Sequence, residues 1–220
     1  MPSLFTDRRG GVSLAPYDSL NLAFHVGDNR QHVVENRASL SPEVSAIQFM
    51  NQIHGDEIAI VDRISEIDPS CDALITTTPG IAVAVLVADC IPLLLTSPSV
   101  VAAVHVGRKG LVNRITLKVI AQMRALGATA IHAQLGASIC GECYEVPADM
   151  AEEISIMHPI AFSQTKVATP ALDLRRALIA DLMNVGVSYE ASAICTFENH
   201  NNFSYRRNQT TGRSAGIVWL

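Results

Sequence analysis

The sequence has little positive charge, and this shortage narrows the partners that the protein can have. Asp and Glu total 21 against 16 Lys and Arg, which gives a net charge of −5. Proteins that bind nucleic acid usually carry a basic face. The one concentrated basic group consists of Arg206, Arg207 and Arg213. Three arginines are too few to bind a nucleic-acid duplex. We therefore expect no nucleic-acid partner, and a compact anion such as phosphate suits this group better.

The sequence also lacks an apolar run of membrane-spanning length. Its most apolar stretch, residues 81–96, is interrupted by Asp89 and Pro92. It is shorter than the roughly 20 residues that a spanning helix needs, so it predicts two buried strands. Residues 1–11 contain no apolar core of a signal peptide. We therefore expect a cytoplasmic protein with no membrane partner.

Cysteine is scarce, and its spacing argues against a disulfide framework. The five cysteines are an odd number, which indicates a reducing compartment with thiols kept for packing or metal. Cys140-Gly141-Glu142-Cys143 is a lone Cys-x-x-Cys. A structural zinc would need a second pair, and none has a suitable spacing. A redox pair stays open, but the simplest interpretation is two loop thiols near a cleft.

Hydrophobic periodicity predicts strands followed by helices. Short apolar or alternating runs predict strands over residues 46–50, 57–61, 73–77, 81–87, 91–96 and 100–106. Helical spacing predicts helices over residues 29–40, with Asp28 as the N-cap and Pro42 beyond the end, over residues 111–126 before Gly127, and over residues 174–185 before Gly186. This grouping favours an α+β fold, with mixed β-sheets flanked by helices in one layered domain over residues 1–220.

Three metal-ligating side chains stand at predicted strand ends: His54, Cys90 and His105. A short turn separates the strands of Cys90 and His105, so antiparallel pairing would bring them together. Two imidazoles and a thiolate suit zinc and leave a fourth position for water or substrate. Zinc would lower the pKa of a bound water towards neutrality. The residues alone also permit a buried hydrophobic Cys90 and a hydrogen-bonded core His105.

Other polar candidates lie near these ends. Arg206 and Arg207 are adjacent, so on a strand at most one of them faces a site directly. A guanidinium fork binds phosphate bidentately, and Thr hydroxyls could complete an oxyanion cradle, although a solvated tail with surface ion pairs is the alternative. Glu145 suits a general base or a supporting carboxylate, or else a helix entry. His25 could approach the site or serve as a loop residue.

These motifs occur together and in order. The series is Asn21 with His25-Val26-Gly27-Asp28, Gln52-Ile53-His54-Gly55, Asp72-Ala73-Leu74, Ala88-Asp89-Cys90-Ile91-Pro92, His105-Val106-Gly107 with Gly110, Cys143-Tyr144-Glu145-Val146, and Phe203-Ser204-Tyr205-Arg206-Arg207 with Thr211-Gly212-Arg213. It resembles the family long labelled polyphenol oxidoreductase laccase and later understood as zinc-dependent purine nucleoside phosphorylases with adenosine deaminase activity. The resemblance covers about residues 21–220.

The resemblance implies a zinc site of His54, Cys90 and His105 and the substrates adenosine, inosine, guanosine and methylthioadenosine. On this basis we expect catalytic roles for Asp89, Cys90, His105 and Glu145. We expect substrate or phosphate contacts from Asn21, His25, Arg108, Arg206, Arg207, Thr211 and Arg213. Laccase activity is not expected, because a multicopper oxidase needs many histidines in His-x-His pairs, and the seven histidines here form no such pair.

Two positions depart from the family pattern. Arg108 and Lys109 stand where the family has Trp and Arg, and Gly136-Ala137 replaces Gly-Pro. The leading hypothesis is phosphorolysis, in which phosphate held by Arg206 or Arg207 with Arg213 attacks the ribose anomeric carbon. A metal-independent Cys90–His105 hydrolase and a non-catalytic purine-binding protein are the alternatives. Monomer and homodimer both stay open.

Overall fold

The computed structural model describes residues 1–40 and 46–220. The strands in these residues are β1 Ser3–Phe5, β2 Ala46–Gln48, β3 Ile58–Ile60, β4 Ala73–Thr76, β5 Ile81–Val87, β6 Ile91–Thr96, β7 Val101–Val106, β8 His132–Leu135, β9 Phe162–Gln164, β10 Pro170–Leu172, β11 Ser188–Ala191 and β12 Ser214–Trp219. The helices are α1 Arg30–Ala38, α2 Arg108–Val112, α3 Ile115–Ala125, α4 Ala148–Met157, α5 Leu174–Asn184 and α6 Tyr205–Asn208, with 3₁₀ turns at Phe24–Val26 and Pro159–Ala161.

Two mixed sheets form the body of the protein. The six-stranded sheet has the order β11-β8-β6-β7-β4-β3, and the four-stranded sheet has the order β1-β12-β5-β2. Parallel pairs occur at β11–β8, β3–β4 and β2–β5, and the other neighbours in these sheets are antiparallel. Strands β9 and β10 form a separate antiparallel pair. The mixed helix-and-sheet architecture predicted from the sequence is confirmed.

Strand β5 is apolar at every position because both of its faces are buried. Successive side chains of a strand point to opposite faces. Val83 and Val85 pack with Leu94 and Val101 of the six-stranded sheet. The alternate residues 82, 84 and 86 pack on the other side, against the segment around Leu22. The long apolar run of the sequence is therefore buried between two layers of the fold.

Helices cover the outer face of the six-stranded sheet. Helix α3 buries Ile115, Val119 and Met123, which recur every four residues along one stripe. Helix α5 buries Leu178 and Leu182 in the same cluster. Each such side chain contributes about 1.5–3 kcal/mol when it is removed from water. No helix in the described ranges is both long and apolar enough to cross a bilayer.

Most predicted elements are present with shifted ends, and β5 and β6 match their predicted bounds. Helix α1 has Asn29 as its N-cap, whose side chain accepts from the Gln31 N–H, so the prediction of Asp28 was wrong. Asp28 instead accepts hydrogen bonds from Ser13 and from the Asn21 amide. Pro42 lies outside the described residues.

One further prediction was wrong, and the strand assumed for the two adjacent arginines is a helical turn. Residues 111–126 do not form one helix, because Arg114 has a left-handed backbone with φ of 58° that separates α2 from α3. Residues 205–208 form the helical turn α6 and not a strand, because the Ser204 hydroxyl accepts from the Arg207 N–H and caps the turn. Arg108 at the start of α2 and Arg206 in α6 both line the cleft described below.

Candidate metal centre and substrate cavity

Three predicted ligands meet at one end of the two sheets. His54 follows β2, Cys90 lies in the link between β5 and β6, and His105 is in β7. Their ligand atoms all lie within 4.8 Å of one another. Strands β6 and β7 pair with Pro92 opposite His105, so the short turn between them brings Cys90 beside His105. The two imidazole rings meet edge to face, with centroids 4.8 Å apart.

A buried carboxylate, Asp72, orients the imidazole of His105 and holds the backbone of His54. Its Oδ1 lies 2.8 Å from Nδ1 of His105, which leaves Nε2 of that ring free for the cluster. The same carboxylate accepts from the backbone N–H groups of His54 at 3.0 Å and Gly55 at 2.6 Å. These bonds hold His54 in a left-handed conformation with φ of 58°. A carboxylate behind a ligating histidine fixes its tautomer and its orientation.

The thiol and the imidazole in the cluster shift each other's pKa. Burial raises the pKa of Cys90, but the charge and hydrogen bonds of His105 and His54 outweigh burial and lower it to about 6. Burial lowers the pKa of His105, while the charge of Cys90 and the hydrogen bond to Asp72 raise it to about 9. Without a metal, the two groups therefore form a thiolate–imidazolium pair at neutral pH. A nearby opposite charge favours the charged form of each group.

Gly107 leaves space beside the sulfur. A Cβ at this position would lie 3.2 Å from Sγ of Cys90 and 3.8 Å from the His105 ring. Such a contact would press on the ligand atoms, because few real Cβ atoms approach so closely. Gly107 also precedes α2 as its N-cap, so the split helix begins at the edge of the cluster.

The donor set fits a transition metal such as zinc. It provides two imidazole nitrogens and one thiolate, and a carboxylate supports one of the imidazoles. Cys90 reaches the thiolate form readily because its pKa is low. His54 is exposed and lines the cavity, so the ligand group is open to solvent. Three protein ligands and one open position are the usual pattern of a catalytic zinc site.

A cavity of about 790 Å³ opens beside the cluster. This volume is within the range of small-molecule sites. Its wall is formed by His25, Gln52, Ile53, His54, Leu86, Val87, Ala88, Asp89, Cys90, His105, Arg108, Lys109, Ile139, Tyr144, Tyr205, Arg206 and Arg213. Aromatic, cationic and metal-ligating side chains thus face one space.

The structure separates the two adjacent arginines. Arg206 lines the cavity, with its guanidinium 5.1 Å from the centre of the Tyr144 ring. Arg207 does not line it, and its guanidinium donates to backbone carbonyls of Thr196 and Asn202, both at 2.7 Å. Arg213 also lines the cavity, 5.7 Å from the centre of the Tyr205 ring. The cationic side of the cavity is therefore made by Arg206 and Arg213.

Asp89 lines the cavity, but both of its carboxylate oxygens are engaged. Oδ1 accepts from the Thr196 hydroxyl at 2.6 Å, and Oδ2 accepts from the Arg206 N–H at 2.7 Å. Its backbone has φ of 97°, an unfavourable value for a residue with a side chain. Asp89 therefore connects the residue before Cys90 to the first residues of α6.

The remaining predicted residues occupy different positions. His25, Arg108 and Lys109 line the cavity. Partial burial and the charges of Arg213 and Arg37 lower the pKa of His25. Three other predicted residues lie outside the cavity wall, and they are Asn21, Glu145 and Thr211.

The three residues outside the wall have structural contacts instead. Asn21 is fully buried and accepts from the Arg213 N–H at 3.0 Å. The carbonyl of Glu145 accepts from the Arg206 guanidinium at 2.6 Å, while the carboxyl group lies on an exposed residue. Thr211 is buried, and its carbonyl accepts from the Arg213 guanidinium at 2.9 Å. Asn21, Glu145 and Thr211 are therefore placed to hold the two cavity arginines.

Four residues that shape the site belong to the quoted motifs, but the sequence assigned them no role. Asp72 orients the histidines, and Gln52 holds the preceding loop by exchanging two hydrogen bonds with the Leu86 backbone, each 2.8 Å. Tyr144 and Tyr205 form parts of the cavity wall. One signal was available for Asp72: it is an acid directly before the apolar residues Ala73–Ile75, where a buried charge needs a partner.

Known proteins are similar in sequence to this chain over almost its entire length. The family model described as multi-copper polyphenol oxidoreductase laccase matches residues 2–220. A Streptomyces coelicolor protein named purine nucleoside phosphorylase is 44% identical over 227 residues, covering 98% of this chain and 94% of that protein. A Shigella flexneri protein with the same name is 37% identical and covers 97% of this chain and 91% of its own length.

Solved structures agree with the fold. A Neisseria meningitidis protein superposes with a TM-score of 0.90 at 32% identity, covering 99% of this chain and 93% of that chain. The protein YfiH of Bacillus licheniformis, described as hypothetical, also has a TM-score of 0.90, at 29% identity and with 99% and 92% coverage.

Proposed function

The chain belongs to the multi-copper polyphenol oxidoreductase laccase family, and from this membership and the cavity we propose that it is a zinc-dependent purine nucleoside phosphorylase. One observation carries the proposal. One cavity is lined both by the three possible metal ligands and by Arg206 and Arg213. The relatives named purine nucleoside phosphorylase support it, since they match nearly the whole chain.

Arg206 and Arg213 form the proposed binding site for phosphate. A guanidinium fork binds phosphate through charge-assisted hydrogen bonds, and Arg206 and Arg213 both reach the cavity. Carbonyl contacts from Glu145 and from Thr211 limit the positions of these two side chains. A phosphate held between them would be fixed in place before it reacts, which lowers the entropic part of the barrier.

Phosphorolysis needs no reactant besides the nucleoside and phosphate. An oxygen of phosphate forms a bond to C1′ of the ribose while the bond between C1′ and the purine nitrogen breaks. The proton of hydrogen phosphate balances the new N–H of the purine, so the products are ribose 1-phosphate and the free base. Tyr144 and Tyr205 offer aromatic surfaces on which the flat base can pack.

His54, Cys90 and His105 would hold the zinc. When bound, zinc supplies an electron-withdrawing centre with one open position, which polarises an atom placed there. Asp72 keeps Nε2 of His105 directed at the cluster. His25 has a lowered pKa and is therefore neutral at neutral pH, so it can accept or donate a hydrogen bond to the substrate.

The proposed substrates are adenosine, inosine, guanosine and methylthioadenosine. We include adenosine deamination as a second activity of the same cavity, in which a water oxygen replaces the C6 amino group and ammonia leaves. Laccase chemistry does not fit the ligands, since the cluster joins only two histidines and one cysteine, and no further histidine lines the cavity except His25.

One observation favours a second candidate. Without a metal, Cys90 has a low pKa and stands beside a charged His105, which is the arrangement of a cysteine hydrolase. Such an enzyme would act without His54 and would resist chelators. A non-catalytic purine-binding protein is the third candidate, for which Arg108 and Lys109 are the support.

The deciding experiment measures base release from inosine by purified protein with and without phosphate. We expect release to require phosphate and to stop after dialysis against a chelator, with recovery when zinc returns. Equal rates without phosphate would contradict the proposal and favour a hydrolase. Activity that survives the chelator would indicate the cysteine mechanism. Purine binding without turnover would identify a binding protein.

A further inference from the structure

A second group of potential metal ligands lies outside the cluster described above. Cys140, Cys143, Cys195 and Glu198 each offer a ligand atom, and these four atoms lie within 4.8 Å of one another. Cys195 is buried, both other cysteines are half-buried, and Glu198 is exposed. A tetrahedron with metal–sulfur distances of about 2.3 Å has edges of about 3.8 Å, so small side-chain movements would close the set.

The ligands come as two matched pairs from distant parts of the sequence. Cys140-x-x-Cys143 and Cys195-x-x-Glu198 have the same spacing. The sequence offers no second Cys-x-x-Cys, but a carboxylate in the fourth place completes the second pair. Zinc accepts carboxylate oxygen as well as thiolate. The pattern was therefore present, although it could not be linked without the fold.

Backbone contacts hold the two pairs together. Parallel pairing of β8 with β11 continues into a bridge between Ser138 and Cys195. The Cys140 N–H donates to Sγ of Cys195 at 3.4 Å, and the Cys143 N–H donates to the Cys140 carbonyl at 3.1 Å in a tight turn. These main-chain contacts bring the three sulfurs together, so their proximity does not depend on flexible side chains.

We propose that Cys140, Cys143, Cys195 and Glu198 form a second transition-metal site, structural in role, that takes zinc or a similar divalent cation with affinity for thiolate. Three sulfurs make the donor set soft, which excludes magnesium and calcium as good occupants. All four positions would be filled by the protein, and closed coordination is the mark of a structural site. Lys166, paired with Glu198 at the rim, balances part of the negative charge.

The site would stabilise one wall of the substrate cavity. Cys143 directly precedes Tyr144, which lines the cavity. Cys195 directly precedes Thr196, whose hydroxyl binds Asp89, the neighbour of Cys90. A metal joining the two pairs would fix both positions at once. It takes no part in the proposed reaction, so it goes beyond the function proposed above.

The first test counts metal per chain by mass spectrometry after growth with zinc and purification under reducing conditions. We expect about two metals in the unaltered protein and one in Cys90→Ser. We also expect one in Cys195→Ser and in Cys143→Ser. Cys71→Ala is the control, because Cys71 is a buried free cysteine that belongs to neither group of ligands, and this variant should retain two metals. One metal in the unaltered protein would overturn the proposal.

Cobalt provides a second test, whose first measurement uses the unaltered protein. The sulfur-to-cobalt absorption band grows with the number of thiolates bound. Cobalt in the unaltered protein should give a band for four thiolates in total, three from the second site and one from Cys90. Cys90→Ser should keep about three quarters of the intensity. If the band is absent in Cys90→Ser, the proposal is wrong.

A disulfide is the competing state of these cysteines. Thiols counted in the denatured, metal-free protein should number five under reducing purification. A count of three, together with one metal per chain, would show a disulfide in place of the metal and would also overturn the proposal. Loss of the second metal should lower the melting temperature while the first metal stays bound.

Discussion

Asp72 and His105 are joined by a hydrogen bond of 2.8 Å between Oδ1 and Nδ1, and both residues are buried. The same carboxylate receives the backbone N–H of His54. One acid therefore sets the direction of two ligands that lie 51 positions apart in the sequence. Burial raises the pKa of Asp72, but these hydrogen bonds prevail and lower it, so the carboxylate stays charged at neutral pH.

Replacing Asp72 with Asn should weaken the first metal site. The amide has one oxygen instead of two, so it cannot accept from His105 and from both loop N–H groups. We expect the metal affinity to fall about 10- to 100-fold, as is typical when such a supporting group is lost. Titration against a competing chelator measures this metal affinity. Asp62→Asn, an exposed acid, is the control. Unchanged affinity in Asp72→Asn would show that the loop alone holds the ligands.

Replacing Arg206 with Ala should impair the use of phosphate. The change removes a charge-assisted contact worth about 2–3 kcal/mol, which is about two orders of magnitude in kcat/KM. We expect most of the loss in the KM for phosphate, measured with inosine saturating. Arg63→Ala, an exposed arginine outside the cavity, should behave as the unaltered enzyme. Arg207→Ala should instead lower the melting temperature, because Arg207 holds backbone carbonyls.

Arg108 stands where the family has Trp, and it lines the cavity. Trp offers a flat apolar surface for a purine, whereas Arg is hydrated and adds positive charge near the metal ligands. We expect Arg108→Trp to lower the KM for adenosine without a change in zinc content. Steady-state kinetics and metal analysis of the same preparation measure both. A KM that is unchanged or higher would mean that position 108 does not contact the base.

Cys90 in the metal-free protein should react as a thiolate down to about pH 6. Its pKa is lowered from 9.0 to about 6, so deprotonation stabilises the folded state at high pH. That contribution is lost as pH falls from about 9 through 6. Alkylation by iodoacetamide, followed by peptide mass mapping, should reach half its maximal rate near pH 6. Cys71 should stay unreactive, because burial raises its pKa to about 11.

His105→Gln supplies the contrasting variant for this titration. Without the imidazolium, burial should raise the pKa of Cys90 and move the midpoint upward. His105 contributes with the opposite sign, because its pKa is raised, and its stabilisation is lost as pH rises through about 9. A midpoint that stays near 6 in His105→Gln would assign the shift to another group.

The candidate ligands were predictable where chemistry and topology agreed. Cys90 directly precedes β6, His105 lies in β7, and a short turn joins these two strands, so local pairing predicts their contact. Asp72 was not predictable in its role, because its partner lies 33 positions away and only the pairing of β4 with β7 brings them together. The approach of Cys195 and Glu198 to Cys140 and Cys143 was not predictable for the same reason, because a long crossover separates β8 from β11 in the sequence.

Helix breaks were less predictable than strands. β5 could be assigned because its apolar run has turn residues at both ends. The break at Arg114 could not, since a left-handed residue without glycine leaves no mark in the sequence. The strand assumed for Arg206 and Arg207 is instead a helical turn, and Ser204 three positions before Arg207 was a capping signal for that turn.

The position of β12 between β1 and β5 has a consequence for synthesis on the ribosome. β5 pairs with β2 on one side, but its other edge needs residues 214–219. At roughly 5–20 residues per second, that edge waits roughly 6–25 s for its partner. An unpaired apolar edge is a site for self-association and chaperone binding. Ribosome-bound chains arrested near residue 200 should therefore be cleaved by added protease within β5, whereas chains that include β12 should resist.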